Sequence, residues 1–271
     1  MDIKEIKSLL EKKFSPKMYK IRNEVYGFHY GLKYKAKNFK KVMLTIDLSL
    51  ESIHFALKNK INLIISNYGL IDKPIKNFNP TIINKLSLLS RYPISIFVLN
   101  SSLIAAEGGT SDTIMDLLYL KLDKLFYIKN KNGIKIPIGR ICLPKAYLNE
   151  EKSMKLEDLL TRIKNNFHVK RVSYVGDPNK IIKRICIVGG ENFYMSYLKK
   201  AINCNCDCYI SGNISHLIAK YARDLGLALI DLSTYETNIL TLKKLSNLLT
   251  LEFPYDEFIV YESQNPLKYY N

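Results

Sequence analysis

The stretch from Lys41 to Ile71 constrains the fold of this 271-residue chain more than any other. It begins with an apolar run at residues 42–46, which is typical of a strand covered on both faces. Apolar residues then recur at helical spacing behind a serine placed to cap a helix. A second apolar run, residues 63–65, leads directly into Asn67 and Tyr68. The pattern predicts a strand–helix–strand unit with these two residues at the carboxyl end of its second strand, where sites in open α/β sheets lie.

The same succession of buried strands and amphipathic helices recurs in the second half of the chain. Three further apolar runs precede polar or glycine-rich junctions, at Ile185–Val188, Cys208–Ile210 and Leu227–Ile230. Between the two halves, Asn132-Gly133 separates two apolar segments and predicts a hairpin. We therefore expect an α/β protein with two α/β lobes built from strand–helix–strand units, at residues 1–125 and 176–271. A hairpin–helix–strand region at residues 126–175 joins them.

Composition narrows the class of protein. Apolar residues make up 47% and charged residues 24% of the chain, as in ordinary globular domains. The 41 basic and 25 acidic residues give a net charge of +16, which suits phosphate, nucleic acid or acidic lipid. However, the lysines are dispersed, which favours a compositional bias over a binding patch. Five cysteines without a disulfide-like spacing and the absence of a long apolar run predict a cytoplasmic protein that does not contact membranes.

Taken in order, the strand junctions resemble those of one family, the NGG-interacting-factor-three-like proteins, also called GTP cyclohydrolase type 2 homologs. The similarity extends from about Glu24 to Pro266. No single motif is specific, but their order and loop positions together are. The segments that carry the resemblance are Gly27–Gly31, Leu63–Gly69, Asn100–Ile104 with Gly108-Gly109 behind it, Gly139-Arg140, Asp207–Gly212 and Asp231–Asn238.

The resemblance implies a two-lobed, ring-forming architecture, namely a homohexamer built as a trimer of dimers. It also implies a site for two divalent metal ions, held by histidines and carboxylates. This sequence departs from that pattern at every ligand position. Asn67 and Tyr68 stand at the paired-histidine positions, and Asn100 and Ile104 at the next His and Asp. The late His and Glu positions carry the neutral residues Thr234 and Asn238.

Such residues are poor replacements for metal ligands. Imidazoles and carboxylates hold the ions of a hydrolytic centre and lower the pKa of a bound water. Neutral amides and hydroxyls bind these ions weakly, and isoleucine offers no donor atom. The chain has only four histidines, and none follows a predicted strand with a carboxylate nearby in the sequence. We therefore expect the metal centre to be lost and predict no cofactor.

Two replacement metal sites are conceivable from the sequence. Cys204, Cys206 and Cys208 alternate, so an extended segment would place their thiols on one face, with Cys186 nearby, as a soft-metal site. The carboxylates Asp47, Glu107, Asp231 and Glu236 would instead form an oxygen-only magnesium site. Buried structural thiols and strand-end caps are the simpler interpretations of the two groups.

Three other motifs invite functional interpretations. Ser101, Ser102 and Ser211 have no histidine placed as a base, so a nucleophilic triad is unsupported. Gly189-Gly190 precedes a helix and would offer N–H groups to phosphate, but it lacks the full phosphate-binding fingerprints, so a structural turn is the simpler interpretation. The aromatic residues Tyr26, Tyr30 and Tyr34 would stack on bases, or simply pack in a strand.

These observations leave three hypotheses. The first is a metal-free, non-catalytic homohexamer with a small polar-ligand pocket at the former metal positions Asn67, Tyr68, Asn100, Ile104, Thr234 and Asn238. The second is a metal-dependent hydrolase of a nucleotide-like substrate with replacement ligands. The third is a basic nucleic-acid-binding ring. Whether the chain is an enzyme stays open, and the sequence assigns no catalytic residue.

Overall fold

A computed structural model describes residues 1–21, 24–31, 39–71, 75, 77–145 and 153–268. In chain order its elements are α1 (Ile3–Lys13), α2 (Pro16–Tyr19), β1 (Gly27–Tyr30), β2 (Lys41–Thr45), α3 (Leu50–Lys58), β3 (Leu63–Ser66), α4 (Pro80–Ser90), β4 (Ser95–Val98), α5 (Ser101–Ala105), α6 (Thr110–Leu117), β5 (Leu120–Lys129), β6 (Lys135–Pro144), β7 (Met154–Lys155), α7 (Leu156–Asn166), β8 (Ser173–Val175), β9 (Ile181–Ile182), β10 (Ile185–Ile187), α8 (Met195–Asn203), β11 (Cys208–Ser211), α9 (His216–Asp224), β12 (Ala228–Asp231), α10 (Thr234–Glu252) and β13 (Glu257–Val260).

The chain forms two compact units. Unit 1 comprises Met1–Leu103 and Ile239–Asn271, and unit 2 comprises Ile104–Asn238. The boundaries therefore fall inside α5 and α10. They differ from the predicted division at residues 125 and 175 because of strand pairing. The last strand, β13, pairs with β2 in unit 1, and the predicted connecting hairpin belongs to the main sheet of unit 2.

Unit 1 is built on a five-stranded sheet in the order β1-β4-β3-β2-β13. All of its pairings are parallel except that of β1 with β4. The side chains of β3 and β4 are buried throughout, as expected for strands covered on both faces. Because β2, β3 and β4 are parallel, the residues that follow them meet at one edge of the sheet.

The predicted strand–helix–strand unit is confirmed as β2–α3–β3. Helix α3 begins after Ser49, whose side-chain oxygen accepts a hydrogen bond from the Ser52 N–H at 3.1 Å. Its apolar face, with Ile53 and Ala56 fully buried, packs into the core of the unit. The β2 and β3 strands are in register, with Thr45 opposite Ser66. This register fixes where the chain leaves β3 at Asn67.

Unit 2 contains a six-stranded sheet in the order β5-β6-β10-β11-β12-β8. The predicted hairpin is confirmed as the long antiparallel pair β5–β6, joined by a loop at residues 130–134. Strands β10, β11 and β12 are parallel neighbours, and β8 closes the sheet as an antiparallel edge strand. A separate two-stranded sheet pairs β7 with β9. An α/β fold with strand–helix–strand units is thus confirmed in both halves of the chain.

The expected aromatic strand is only partly described. Tyr26 lies just before β1 and Tyr30 ends it, while Tyr34 lies outside the described residues. The Tyr26 ring packs edge-on against the Phe97 ring, with 5.5 Å between the ring centroids. The Tyr26 hydroxyl donates to the Leu10 carbonyl at 3.2 Å. Tyr26 therefore packs within its own unit and does not present a free ring for stacking. Among the described residues, no helix combines the length and the apolar character needed to cross a bilayer.

Candidate functional site

Three of the predicted site residues meet at the carboxyl edge of the unit 1 sheet. Asn67 and Tyr68 follow β3, and Asn100 follows β4. The Asn100 N–H donates to the Asn67 carbonyl at 2.9 Å, so the two residues are direct neighbours. Asn100 holds this position with a φ of +50°, a left-handed conformation that asparagine tolerates better than most residues. The structure therefore places these three residues at the same edge of the unit 1 sheet, and their function as a pocket stays a prediction.

Asn67 has an unusual environment for a buried amide. Its backbone is fully used, since the N–H donates to the Thr45 carbonyl at 3.1 Å. Its side chain is only 2% exposed, yet its Oδ1 atom has no hydrogen-bond partner among the described residues. A buried acceptor without a donor costs free energy, typically about 1–3 kcal/mol. The end of β3 therefore carries a buried amide oxygen that receives no hydrogen bond from the described residues.

The other three predicted residues lie in unit 2. Thr234 and Asn238 are four residues apart in α10, so both lie on one side of that helix. Ile104 lies against Gly190, since a Cβ atom built on that glycine would come within 2.9 Å of the Ile104 Cδ1. Gly212 in turn is in close contact with the Thr234 hydroxyl, and its N–H donates to the Gly190 carbonyl at 2.9 Å. These contacts place Ile104 and Thr234 beside the same pair of glycine loops.

Asn238 repeats the feature seen at Asn67. It is 2% exposed, and its Oδ1 also has no hydrogen-bond partner within the described part of the chain. Each unit therefore carries one buried, unsatisfied amide oxygen at a position where the resemblance implies a metal ligand. That all six residues line one pocket stays a prediction.

The chemistry of these residues does not fit two divalent metal ions. The set consists of three amides, a phenol, a hydroxyl and an alkyl group, with no charged donor. Across the described residues, no group of three or more His, Cys, Asp or Glu side chains is placed to hold a metal ion. Without carboxylates or imidazoles, nothing here would offset the cost of removing an ion from water.

Three of the four carboxylates proposed for a magnesium site accept hydrogen bonds from neighbouring loop or helix-start groups. Asp47 accepts the Ser49 N–H at 3.1 Å, which fixes the entry to α3. Asp231 accepts the N–H groups of Asn213 and Ile214 at 2.8 and 3.0 Å. Glu236 accepts the Ser233 hydroxyl, and Glu107 is exposed. The positions of Asp47, Asp231 and Glu236 are therefore explained by these local hydrogen bonds, without a metal ion.

The cysteines do not form the extended ladder that their spacing suggests. Cys204 is the C-cap of α8, and Asn205 adopts a left-handed φ of +57°, so the segment is a tight turn before β11. Cys186 and Cys208 are fully buried, and burial raises the pKa of both thiols above the usual range. Since the thiolate is the form that binds metals, these thiols are suited to packing and not to metal binding.

The glycine loop, Ser101 and Ser211 take part in internal hydrogen bonds, whereas the buried Ser102 Oγ has no partner among the described residues. The Gly189 N–H donates to Ser111 Oγ at 3.1 Å, and the Asn192 N–H donates to Ser211 Oγ, also at 3.1 Å. The Ser211 hydroxyl donates to the Gly190 carbonyl at 2.8 Å. The Ser101 Oγ accepts the Ile21 N–H at 3.1 Å. The loop is a structural junction, as the simpler interpretation held.

Arg140, part of the Gly-Arg motif, has a structural function that the sequence did not reveal. It lies in strand β6 and is 2% exposed. Its guanidinium binds both carboxylate oxygens of Asp112, at 2.5 and 2.9 Å. The remaining N–H groups donate to the carbonyls of Pro137, Gly139, Ala105 and Ala106 at 3.0–3.3 Å. The residue therefore ties β6 to the loop before α6.

Comparison with known proteins identifies the class. A model of the Duf34/NIF3 (NGG1p interacting factor 3) family matches residues 1–266. The chain belongs to this family, and the resemblance seen in its junction motifs is confirmed.

Individual relatives agree with this assignment. A Methanocaldococcus jannaschii protein named GTP cyclohydrolase 1 type 2 homolog is 28% identical over 250 residues, which cover 92% of this chain and 95% of the relative. A Clostridium perfringens protein of the same name is 25% identical and covers 87% and 88% of the two chains.

Solved structures support the fold. A Bacillus cereus protein related to NIF3 superposes with a TM-score of 0.81 at 15% identity, covering 98% of both chains. A Staphylococcus aureus hypothetical protein gives 0.81 at 21% identity, covering 100% of this chain and 99% of that one. The mixed α/β fold of this chain is therefore the fold of the family.

Proposed function

We propose that this member of the NIF3 family does not hold a dinuclear metal centre, and that it binds a small, uncharged polar ligand without catalysing its hydrolysis. The observation that carries the proposal is the pair of buried, unsatisfied oxygens, Asn67 Oδ1 and Asn238 Oδ1. Both occur at positions where the resemblance implies metal ligands. Their neutral chemistry replaces coordination with hydrogen bonding.

The ligand chemistry follows from the groups that lack partners. An amide oxygen only accepts hydrogen bonds, so the ligand must present N–H or O–H donors to it. A cation would instead require carboxylates, and none is placed for that purpose among the described residues. Uncharged amides and nucleobases are two classes of small molecule that meet this requirement.

Metal analysis tests the loss of the dinuclear centre. Protein purified without chelators is measured by inductively coupled plasma mass spectrometry, and we expect far less than one ion of zinc, iron or manganese per chain. The matched variant restores the family ligands with N67H, Y68H, N100H, I104D, T234H and N238E, and it should bind divalent metal. Roughly stoichiometric metal in the unaltered protein would contradict the proposal and favour a hydrolase with replacement ligands.

Thermal-shift measurements test ligand binding separately. A panel of uncharged amides and nucleobases should contain compounds that raise the midpoint of unfolding, as mass action requires of any ligand that binds only the folded state. The shift should disappear in N67L and N238L, which remove the two acceptors. The control variant N84L alters an exposed asparagine on α4 and should keep the shift. A panel without any shift, or shifts that persist in N67L and N238L, would contradict the proposal.

We also propose that the protein assembles into the homohexamer, a trimer of dimers, that the resemblance implies. Light scattering coupled to gel filtration should then give six times the chain mass of 31.3 kDa. A monomeric mass at micromolar concentration would exclude the ring. The five free thiols support a reducing compartment, and we propose the cytoplasm as its location.

A second function, nucleic-acid binding by a basic ring, is favoured by the net charge of +16 alone. It predicts measurable affinity for single- or double-stranded DNA that falls steeply with salt, because phosphate contacts release counterions. Negligible binding at low salt would remove this alternative. The metal and thermal-shift experiments do not depend on its outcome.

A further inference from the structure

Unit 2 contains a groove that belongs to none of the predicted sites. It has a volume of about 280 Å³ and lies against the edge strand β8 and the helix α9. The residues that line it are Tyr174, Val175, His216, Ala219, Lys220 and Arg223. None of the six candidate site residues is among them, so the groove is independent of the proposed function.

The helix side of the groove carries two cations, Lys220 and Arg223, and the imidazole of His216. His216, Lys220 and Arg223 are spaced by four and three residues, which places them on one face of α9. All three are exposed, and no acidic side chain lines the groove. Within the described residues, Lys220 forms neither a hydrogen bond nor an ion pair. Arg223 has only a 4.0 Å contact with its exposed neighbour Asp224. An anion would therefore find cations that are not already neutralised.

The start of α9 adds to this positive potential. His216 is the first residue of the helix, behind Ser215, whose oxygen accepts the Ile218 N–H at 3.4 Å. The positive end of the helix dipole thus lies at the same end of the groove as the His216 side chain. Dipole and side chains favour the same kind of ligand, a phosphate-bearing anion.

The strand side of the groove supplies an aromatic surface. Tyr174 lies opposite Ile230 in the pairing of β8 with β12, and its side chain is 42% exposed. Strand β8 is the edge strand of the sheet in the described part of the chain, so Tyr174 lies at the border of unit 2's main sheet. An exposed tyrosine beside two cations is a combination that binds a base and its phosphate together.

We propose that this groove binds one nucleotide unit, with the base on the Tyr174 ring and the phosphate among His216, Lys220 and Arg223. The volume of about 280 Å³ is at the small end of ligand sites, which suits a mononucleotide and not a larger cofactor. The unit is either a free nucleoside monophosphate or one nucleotide of a single strand. Both sources share the same chemistry.

Isothermal titration calorimetry on the full chain at low salt tests the proposal. The probes are uridine monophosphate and the three other common ribonucleoside monophosphates. Uridine and inorganic phosphate serve as the half-ligands. At least one monophosphate should bind more tightly than either half, because base and phosphate contacts act together. Hexauridylate separates the two sources. Tighter binding of the hexamer identifies a strand as the ligand, and equal or weaker binding identifies the free nucleotide.

Substitutions in the groove locate the binding. The K220A/R223A variant should weaken mononucleotide binding by about tenfold or more, since each change removes a charged contact. Replacement of the ring in Y174L should weaken it by about fivefold or more. The control K129A/K164A removes the same charge from exposed sites outside the groove and should bind as the unaltered protein does.

Three outcomes would overturn the proposal. The first is the absence of binding by all four monophosphates. The second is equal affinity for inorganic phosphate, which would indicate a simple anion effect. The third is equal weakening by K220A/R223A and K129A/K164A, which would place the binding outside the groove. Circular dichroism of each variant shows that the exposed changes leave the fold intact.

Discussion

Arg140 and Asn67 are equally buried polar residues with opposite surroundings. Each residue is 2% exposed. Arg140 donates to six oxygen atoms, two of them from Asp112 and four from main-chain carbonyls. Asn67 Oδ1 receives no hydrogen bond from any described residue. The same fold that satisfies every donor of the Arg140 guanidinium leaves the amide oxygen of Asn67 without a donor among the described residues.

This contrast distinguishes a buried polar group that stabilises the fold from one that is available to a ligand. A buried guanidinium is retained when its surroundings repay its desolvation, so the Arg140 cluster is explained by the fold itself. An unsatisfied buried amide does not stabilise the fold, and its desolvation lowers the free energy of unfolding. Its occurrence at a strand end in unit 1, and again at Asn238 in unit 2, is expected if the missing donor belongs to a ligand and not to the chain.

The largest predicted effect concerns the satisfied cluster. Asp112→Leu would leave the Arg140 cation buried without its counter-ion, and we expect a loss of about 3–5 kcal/mol in the free energy of unfolding. Urea denaturation followed by circular dichroism measures the change. The D112L/R140M double variant removes both charges and should recover part of the loss, because the four carbonyls that Arg140 satisfies still lose their donor. A loss below about 1 kcal/mol in D112L would show that the cluster is not the structural tie described above.

The sequence alone predicts only part of the contrast between Arg140 and Asn67. The buried strands and amphipathic helices are local patterns, so the meeting of Asn67 with Asn100 at one sheet edge could be predicted. The pairing of Arg140 with Asp112 spans 28 residues and depends on how β6 lies against α6. Whether an asparagine oxygen finds a donor depends on neighbours from distant strands, and no periodicity encodes it.

The boundaries of the two units also depend on long-range strand pairing, which local sequence patterns do not predict. Strand β13 lies in the segment 176–271 that the sequence assigns to the second lobe, but it pairs with β2 of unit 1, and that register is set by packing and not by its own sequence. The basic face of α9 was missed for another reason. Its spacing of four and three residues was visible, yet dispersed lysines throughout the chain concealed it. Only the position of Tyr174 on the neighbouring edge strand distinguishes this face from the others.

Leucine substitutions at Asn67 and Asn192 test whether the Asn67 side chain contributes to the stability of the fold. Asn192 is also buried, at 4% exposure, but its Nδ2 donates to the Gly189 carbonyl at 2.7 Å. Asn192→Leu should therefore cost about 1–3 kcal/mol, because a buried carbonyl loses its donor. Asn67→Leu removes an oxygen that has no partner and should raise the free energy of unfolding by about 1 kcal/mol in ligand-free protein.

Urea denaturation of both variants gives the two changes side by side. Opposite signs would support the contrast between satisfied and unsatisfied amides. If N67L lost as much stability as N192L, Asn67 would be a structural residue and the ligand proposal would lose its main support.

The smallest predicted effect concerns the alkaline limb of stability. Tyr209 is fully buried, and its hydroxyl donates to the Asn192 carbonyl at 2.8 Å. Burial raises the pKa of this phenol well above its ordinary value of 10.0, and the nearby Cys186 thiol adds to the shift. The folded state therefore keeps the proton while unfolded chains release it. The stabilising contribution is complete below about pH 10 and is lost as the pH rises towards the folded-state pKa.

Tyr209→Phe should cost about 1 kcal/mol at neutral pH, since one buried hydrogen bond is removed. Above pH 10 the variant should lose stability less steeply than the unaltered protein, by about 1.4 kcal/mol per pH unit, the contribution of one proton. Urea denaturation at intervals from pH 8 to 11 gives both slopes, and the raised pKa values of the buried thiols contribute equally to both proteins. Identical slopes would mean that the phenol ionises in the folded state as it does in water. The satisfied network around Asn192 would then be open to solvent, and the contrast with Asn67 would no longer hold.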